Sequence, residues 1–211
     1  YNAGMESRPA ALTVAVLAGG KSSRMGTDKA FVRVLGRPLI ELVLEPLQGL
    51  GAETLIITNH PEPYRYLGLP LFPDVLPDVG ALGGLYSALH YSSQPHTLCA
   101  ACDMPFVVPA LLDYLIARRA DADAVVPRLP TAAAGALEAE PFRAVYARAA
   151  CLGPIRAALD AGRRRVIAWF PDVRVRFVEA AEIDRLDPRR LSFINVNTPQ
   201  DLEAARQLPG G

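Results

Sequence analysis

The sequence predicts a doubly wound α/β domain with a largely parallel sheet, and three observations carry that prediction. Short, nearly continuous apolar runs alternate with segments of helical periodicity. Each of the clearest runs stops at glycine or at a polar residue. The length, 211 residues with 51% hydrophobic, suits one sizeable core rather than two. Strands buried on both faces read as unbroken apolar runs, and such sheets collect ligands beyond the carboxyl ends of their strands.

Leu12 to Leu17 is the first such run, broken sharply by Ala18-Gly19-Gly20. Phe31 to Leu35 reads as extended, and Gly36-Arg37-Pro38 turns the chain. Pro38 suits the first turn of a helix. Leu39, Leu42, Val43, Leu47 and Leu50 continue that helix at the expected spacing, despite Pro46, until Gly49 and Gly51. Thr54 to Thr58 is the second strand, ending at Asn59. A proline-rich stretch follows to Pro77, with a brief strand around Leu69 to Phe72. Leu82, Leu85 and Leu89 predict a helix from Leu82 to Ser92. Thr97 to Cys102 is the third buried strand and runs into Asp103. Pro109 to Arg119 reads as a helix and Ala124 to Val126 as a fourth strand. Strands at Pro141 to Tyr146 and Val173 to Val178 flank a helix from Ala149 to Ala161. Pro199 to Gln207 closes the chain as a helix after Asn195-Val196-Asn197. Residues 5–211 thus read as a single domain, with Met5 as the natural start and Tyr1 to Gly4 as an expression remnant.

Composition removes several function classes. Lys+Arg and Asp+Glu balance at 22 each, so the basic excess of a non-specific nucleic-acid or polybasic membrane binder is missing. No apolar run reaches the roughly 18 residues of a membrane span, and no signal-peptide layout opens the chain. The expected address is the cytoplasm. Three cysteines cannot build a disulfide framework. Cys99 and Cys102 spell C-x-x-C, but a zinc site wants more clustered ligands than the scattered His60, His90 and His96 supply. A redox pair should open a helix, whereas these cysteines lie on a buried strand, where small residues pack.

Twenty of the 22 cationic residues are arginine, and the two lysines, Lys21 and Lys29, share one glycine-containing segment. At a phosphate site the two residues are not interchangeable: lysine is a compact point charge on a flexible stem, arginine a planar fork. The segment Leu17-Ala-Gly-Gly-Lys-Ser-Ser-Arg-Met-Gly26-Thr-Asp-Lys29 leaves a strand with three glycines and three cations. Glycines let backbone N–H groups approach a polyphosphate, and the cations offset its charge. It is not a Walker A loop, which needs a glycine where Ala15 stands, nor the G-x-G-x-x-G dinucleotide fingerprint.

The whole string resembles the L-A-G-G-x-S-x-R-M-G-x-x-K signature of the MobA-type molybdenum cofactor guanylyltransferases, within the nucleoside-triphosphate transferases. The resemblance continues in family order through Thr58-Asn59, Pro73-Asp74, Gly80-Ala-Leu-Gly-Gly84, Cys102-Asp-Met-Pro105, Ala161-Gly-Arg-Arg-Arg-Val166 and Phe193-Ile-Asn-Val-Asn-Thr-Pro199. It implies a three-layer α/β/α fold like that of the nucleotide-diphospho-sugar transferases. It implies an enzyme that joins the GMP part of GTP to the phosphate of molybdopterin and releases pyrophosphate. The implied substrates are GTP and molybdopterin, with transient contact to molybdenum cofactor proteins and no nucleic-acid or membrane partner.

Residue by residue, the resemblance puts Leu17, Ala18 and Gly19 on the guanine and ribose side through backbone contacts. Related cytidylyltransferases usually carry alanine at the position of Gly19, so glycine favours guanine. Lys29 matches the triphosphate-binding lysine and Arg24 the signature arginine; both can neutralise charge on the departing pyrophosphate. Asn59 and Asp74 match nucleotide contacts, with Asp74 open to base, ribose or metal. Asp103, a carboxylate at a strand end ahead of Pro105, is the expected ligand for Mg²⁺ against the α-phosphate. Asn195 and Asn197 match a second metal or substrate contact, or cap the last helix. Arg163 to Arg165 either receive the molybdopterin phosphate or decorate a helix end. The tract from Leu129 to Glu140 is unusually Ala-rich where the pterin should approach. Two other activities stay open: cytidylyl transfer to molybdopterin or another small phosphate, and nucleotide binding without turnover.

Overall fold

The first apolar run is unbroken because both its faces are covered. In the computed structural model, which describes residues 10–19, 28–34, 36–131, 136–197, 200–201 and 203, Leu12, Val14 and Val16 enter one apolar layer and Ala15 the other. The elements in chain order are β1 (Ala10–Leu17), β2 (Arg33–Val34), β3 (Arg37–Pro38), α1 (Leu39–Leu44), β4 (Gly51–Ile57), β5 (Leu71–Phe72), α2 (Ala81–Tyr91), β6 (His96–Ala101), α3 (Pro109–Ala117), β7 (Ala124–Pro130), β8 (Leu137–Ala139), β9 (Arg143–Ala147), α4 (Arg148–Asp160), β10 (Val175–Glu179) and α5 (Ala180–Ile183). Ile40 and Val43 of α1, Leu111 and Leu115 of α3 and Ile183 of α5 pack on one face of the sheet. Leu82, Leu85 and Leu89 of α2 with Cys151, Ile155 and Leu159 of α4 cover the other. The result is three layers, α/β/α.

The main sheet runs β10-β7-β9-β6-β1-β4-β5, with β8 beside the far half of β7. β1 pairs in parallel with both β4 and β6, β4 with β5, and β7 with β10. Within this sheet, among its described strands, only β9 and β8 run antiparallel to their neighbours. From β1 the chain goes outward to β4 and β5, then returns to the other side of β1 as β6. The crevice between β1 and β6 is therefore the topological switch point, where such sheets bind ligands.

Three local expectations change. Phe31 to Leu35 is not one extended run: Asp28 caps a single 3-10 turn, Lys29–Phe31, and β2 then pairs with β3 as a small separate ribbon. The helix expected to reach Leu50 leaves α geometry after Leu44 and finishes as a 3-10 turn, Glu45–Leu47, because Pro46 has no N–H to continue the ladder. The Ala-rich tract carries an unforeseen strand, β8, while residues 132–135 within it and most of the expected closing helix, Pro199 to Gln207, lie outside the described residues.

Gly51 opens β4 against an irregular register in β1, between Ala10 and Thr13. A Cβ at Gly51 would stand 2.5 Å from the Leu12 carbonyl oxygen, and backbone cannot step aside as a side chain can. Gly51→Ala is expected to cost about 1–3 kcal/mol of stability. Urea unfolding should read this as a lower midpoint at unchanged slope.

Candidate active site

Four parallel strands end in one row. Leu17 of β1 is in register with Ile57 of β4 and Ala101 of β6, and Ile57 with Phe72 of β5. The residues just past those ends are Ala18-Gly19, Thr58-Asn59, Pro73-Asp74 and Cys102-Asp103. Sequence-distant candidates thus share one edge because their strands stop together. Arg24, with Gly20 and Lys21, lies outside the described residues.

On the β4–β5 side, Asn59 and Asp74 hold each other. The Asn59 amide donates to Asp74 Oδ2 at 2.8 Å, and the Asp74 backbone N–H donates to Asn59 Oδ1 at 2.8 Å. The buried Ser87 hydroxyl lies 3.4 Å from Asp74 Oδ1 and accepts from the Val75 N–H at 3.0 Å. Behind them the first turn of α2 presses against β1: a Cβ at Gly84 would stand 3.0 Å from Leu17 Cδ2. The glycine there lets α2 approach the strand end closely. Gly19 is different. Its φ is not in the left-handed region, and among the described residues a Cβ there would meet only the Ile57 carbonyl oxygen, at an ordinary 3.9 Å. The fold does not demand glycine at position 19.

On the β6 side, Asp103 is largely buried at the switch point. Burial pushes its carboxyl up from the usual range; the Lys29 ammonium, a backbone N–H and the Arg143 guanidinium pull it back. Lys29 Nζ donates to Asn197 Oδ1, joining residues 168 positions apart. Asn197 is brought there by the C-terminal segment. Asp187 accepts from the N–H groups of Leu191 and Ser192, each at 2.8 Å, and the Val196 N–H donates to the Asp103 carbonyl at 2.8 Å. Lys29, Asp103 and Asn197 therefore converge. Asn195 is exposed beside them, without a hydrogen bond to either.

Two residues that sequence reasoning missed support this side. Arg143 is fully buried on β9 with its Nη2 donating to the Met104 carbonyl at 2.7 Å. Its Nε and Nη1 have no partner among the described residues. Burial draws its pKa down to about 10, while Glu140, Asp103 and Asp187 raise it, so it stays cationic at neutral pH. The available signal was a lone charge in the otherwise apolar run Phe142 to Tyr146. Tyr64 is the other, a fully buried phenol that reaches both Ala18 and Asp28. It sits in a proline-rich stretch that offered no periodicity to read.

The other motifs sort clearly. Cys99 packs in the layer under α2 and α4, and Cys102 against the opposite layer. Burial pushes both thiols up, so C-x-x-C spans the sheet as packing and not as a redox pair. α4 begins beside Pro95, where the Arg148 N–H donates to the Pro95 carbonyl at the far edge of β6. Arg163, just past the end of α4, is paired with Asp172 at 3.3 Å and donates to the Ala168 carbonyl at 2.8 Å; Arg164 and Arg165 are exposed.

Among the described residues no group of three His, Cys, Asp or Glu converges as a cation cage. Asp103 is a hard-oxygen donor, and Asn195 and Asn197 flank Val196, whose N–H meets the Asp103 carbonyl. That fits Mg²⁺, which takes one or two carboxylates and leaves the remaining positions to water and substrate phosphate.

A probable molybdenum cofactor guanylyltransferase of Pelotomaculum thermopropionicum is 36% identical over 93% of this chain and 92% of its own. A molybdenum cofactor guanylyltransferase of Desulfosudis oleivorans is 32% identical over 92% and 94%. The crystal structure of molybdopterin-guanine dinucleotide biosynthesis protein A from Archaeoglobus fulgidus superposes with a TM-score of 0.74 at 30% identity, covering 92% of this chain and 96% of that one. A cytidylyltransferase acting on 2-C-methyl-D-erythritol 4-phosphate, from Thermus thermophilus, shares the fold at 20% identity and a TM-score of 0.67. The MobA-like NTP transferase domain model matches residues 14–175, from the middle of β1 to the start of β10. That span contains the switch-point crevice, its glycine segment and Asp103, and on this match the chain belongs to the MobA-like NTP transferase family.

Proposed function

We propose that this protein transfers GMP from GTP to the phosphate of molybdopterin, releasing pyrophosphate and forming the guanine dinucleotide cofactor. The observation that carries this reading is the meeting of Lys29, Asp103 and Asn197 at the β1–β6 crevice in a chain with 36% identity to a probable guanylyltransferase. A phosphate oxygen of molybdopterin attacks the α-phosphorus of GTP, and the bond from that phosphorus to the bridging oxygen breaks. No protein nucleophile is required, so positioning and electrostatics supply the rate. Leu17, Ala18 and Gly19 offer backbone to the base and ribose. Asp74 follows β5, three strand spacings or about 14 Å from the end of β6, and Asn59 follows β4, two spacings or about 10 Å away. That separation favours base or ribose for Asp74 over a metal shared with Asp103. Lys29 and Arg24 neutralise the pyrophosphate. Asp103, with Asn195 or Asn197, holds Mg²⁺, which when bound supplies positive charge at the α-phosphate. The exposed Arg164 and Arg165 are the candidates for the pterin phosphate.

Guanine is preferred over cytosine because Gly19 leaves room that the fold does not use. In a survey of nucleoside triphosphates with molybdopterin and Mg²⁺, pyrophosphate release is expected with GTP and not with CTP. Omitting Mg²⁺ is expected to abolish it. Gly19→Ala should fold normally and narrow the GTP-over-CTP preference by about tenfold. Equal turnover of CTP by the unaltered protein would return the assignment to cytidylyl transfer. Tight GTP binding without turnover would make it a binding homologue.

A further inference from the structure

Three segments of the site meet at one buried phenol. Tyr64 lies in a 3-10 segment, Glu62–Leu67, and is completely enclosed. Its hydroxyl is 2.7 Å from Asp28 Oδ2 and 3.2 Å from the Ala18 carbonyl oxygen, with the Thr58 hydroxyl also in hydrogen-bonding reach. The phenol has one proton to donate, and the carboxylate at the shorter distance is its main acceptor. Burial and the Asp28 carboxylate push its ionisation far above the ordinary range, so it remains a donor at any working pH. Asp28 in turn caps the turn that carries Lys29, accepting from the Ala30 N–H at 3.1 Å. Ala18 and Thr58 are the exits of β1 and β4, tied to each other's strands by the Ala18 N–H to the Ile57 carbonyl at 2.9 Å. The Tyr64 ring is wedged against Phe31, with centroids 4.8 Å apart, so the hydroxyl has little freedom to move.

We infer that Tyr64 is a positioning residue that sets the distance between the two ends of the nucleotide site. One end is the strand exit at Ala18, which faces the base and ribose; the other is the capped turn at Asp28-Lys29, which faces the triphosphate. A ligand touching both ends needs that spacing held before it arrives, since ordering it on binding would subtract from affinity. The inference rests on the GTP reading above and adds the group that preorganises it. No ligand contact is assigned to Tyr64 itself, whose hydroxyl is enclosed by protein.

Tyr64→Phe keeps the ring, its burial and the Phe31 contact, and removes only the hydroxyl. Its Kd for GTP, by calorimetry, is expected to rise about tenfold, the loss of one hydrogen bond to a charged group. The KM for GTP should rise in parallel while the KM for molybdopterin stays within about twofold. Asp28→Asn in the Tyr64→Phe background should add less than about twofold, because the amide oxygen can keep the Ala30 cap and both changes weaken the same link. Asp28→Asn keeps an acceptor of the same shape and should weaken GTP by about threefold, less than Asp28→Ala. A Tyr64→Phe protein that binds GTP within twofold of the unaltered one would overturn the inference. So would equal rises in both KM values, or fully multiplicative effects of the two changes. If the phenylalanine variant does not fold, Asp28→Asn binding GTP about threefold more weakly than the unaltered protein sustains the charged link and Asp28→Asn at full affinity removes it. Failure of the unaltered protein to bind GTP would instead strike the guanylyl reading and carry the clamp with it.

Discussion

Asp103→Asn is expected to lower guanylyl transfer by about two orders of magnitude or more while leaving the fold intact. The substitution keeps the shape and one carbonyl oxygen but removes the carboxylate charge that the proposed Mg²⁺ site depends on. The expected stability change has the opposite sign. Burial raises the Asp103 carboxyl above its value in an unfolded chain. The folded protein therefore holds that proton more tightly, and ionising the group costs stability as pH rises through the carboxylate range. Asparagine escapes the cost, so the variant should melt at the same temperature or higher at neutral pH and show no such loss on titration. Arg143 limits the gain, because the fully buried guanidinium loses one of the anions that surround it. Thermal melts without ligand and pyrophosphate release across Mg²⁺ concentrations check the two halves. A variant that melts many degrees lower, or that turns over normally at low Mg²⁺, would make Asp103 a scaffold residue.

Lys29→Arg conserves charge and is nevertheless expected to remove most of the activity, lowering kcat/KM for GTP by about ten- to a hundredfold. Lys29 stands on a one-turn 3-10 segment, and its ammonium donates to Asn197 while lying close enough to Asp103 to stabilise the carboxylate. A planar fork on a longer stem cannot occupy the same point without displacing Asn197. Lys21→Arg is expected to be milder. The melting temperature of the Lys29 variant should stay within about 3 °C of the original, since the contact it alters is an exposed one. Unchanged turnover would mean that the two lysines share this segment by accident of composition.

The legible part of the protein is the part decided locally. Leu12 to Leu17, Thr54 to Thr58 and Thr97 to Cys102 were readable as buried strands because a strand covered on both faces shows no polar alternation. Their polar ends followed at once, so Gly19, Asn59, Asp74 and Asp103 could be assigned to one edge before any coordinates. The boundaries that moved did so for local reasons too weak to read in advance. Asp28 capped a turn where an extended run was expected, and Pro46 withdrew one hydrogen bond from a helix.

By itself the sequence determined the layer order and the row of strand ends, and it offered Lys29 and Asp103 as candidate charges. Only tertiary structure decided that Lys29 meets Asn197, that Arg143 is enclosed behind Asp103, that Gly51 has no room for a methyl group and that Tyr64 bridges Ala18 to Asp28. The reason is physical. Apolar periodicity and turn chemistry depend on neighbours a few positions away. The partner of a buried polar group is instead whichever donor or acceptor the packed chain brings within about 3 Å, and burial makes leaving it unpaired costly.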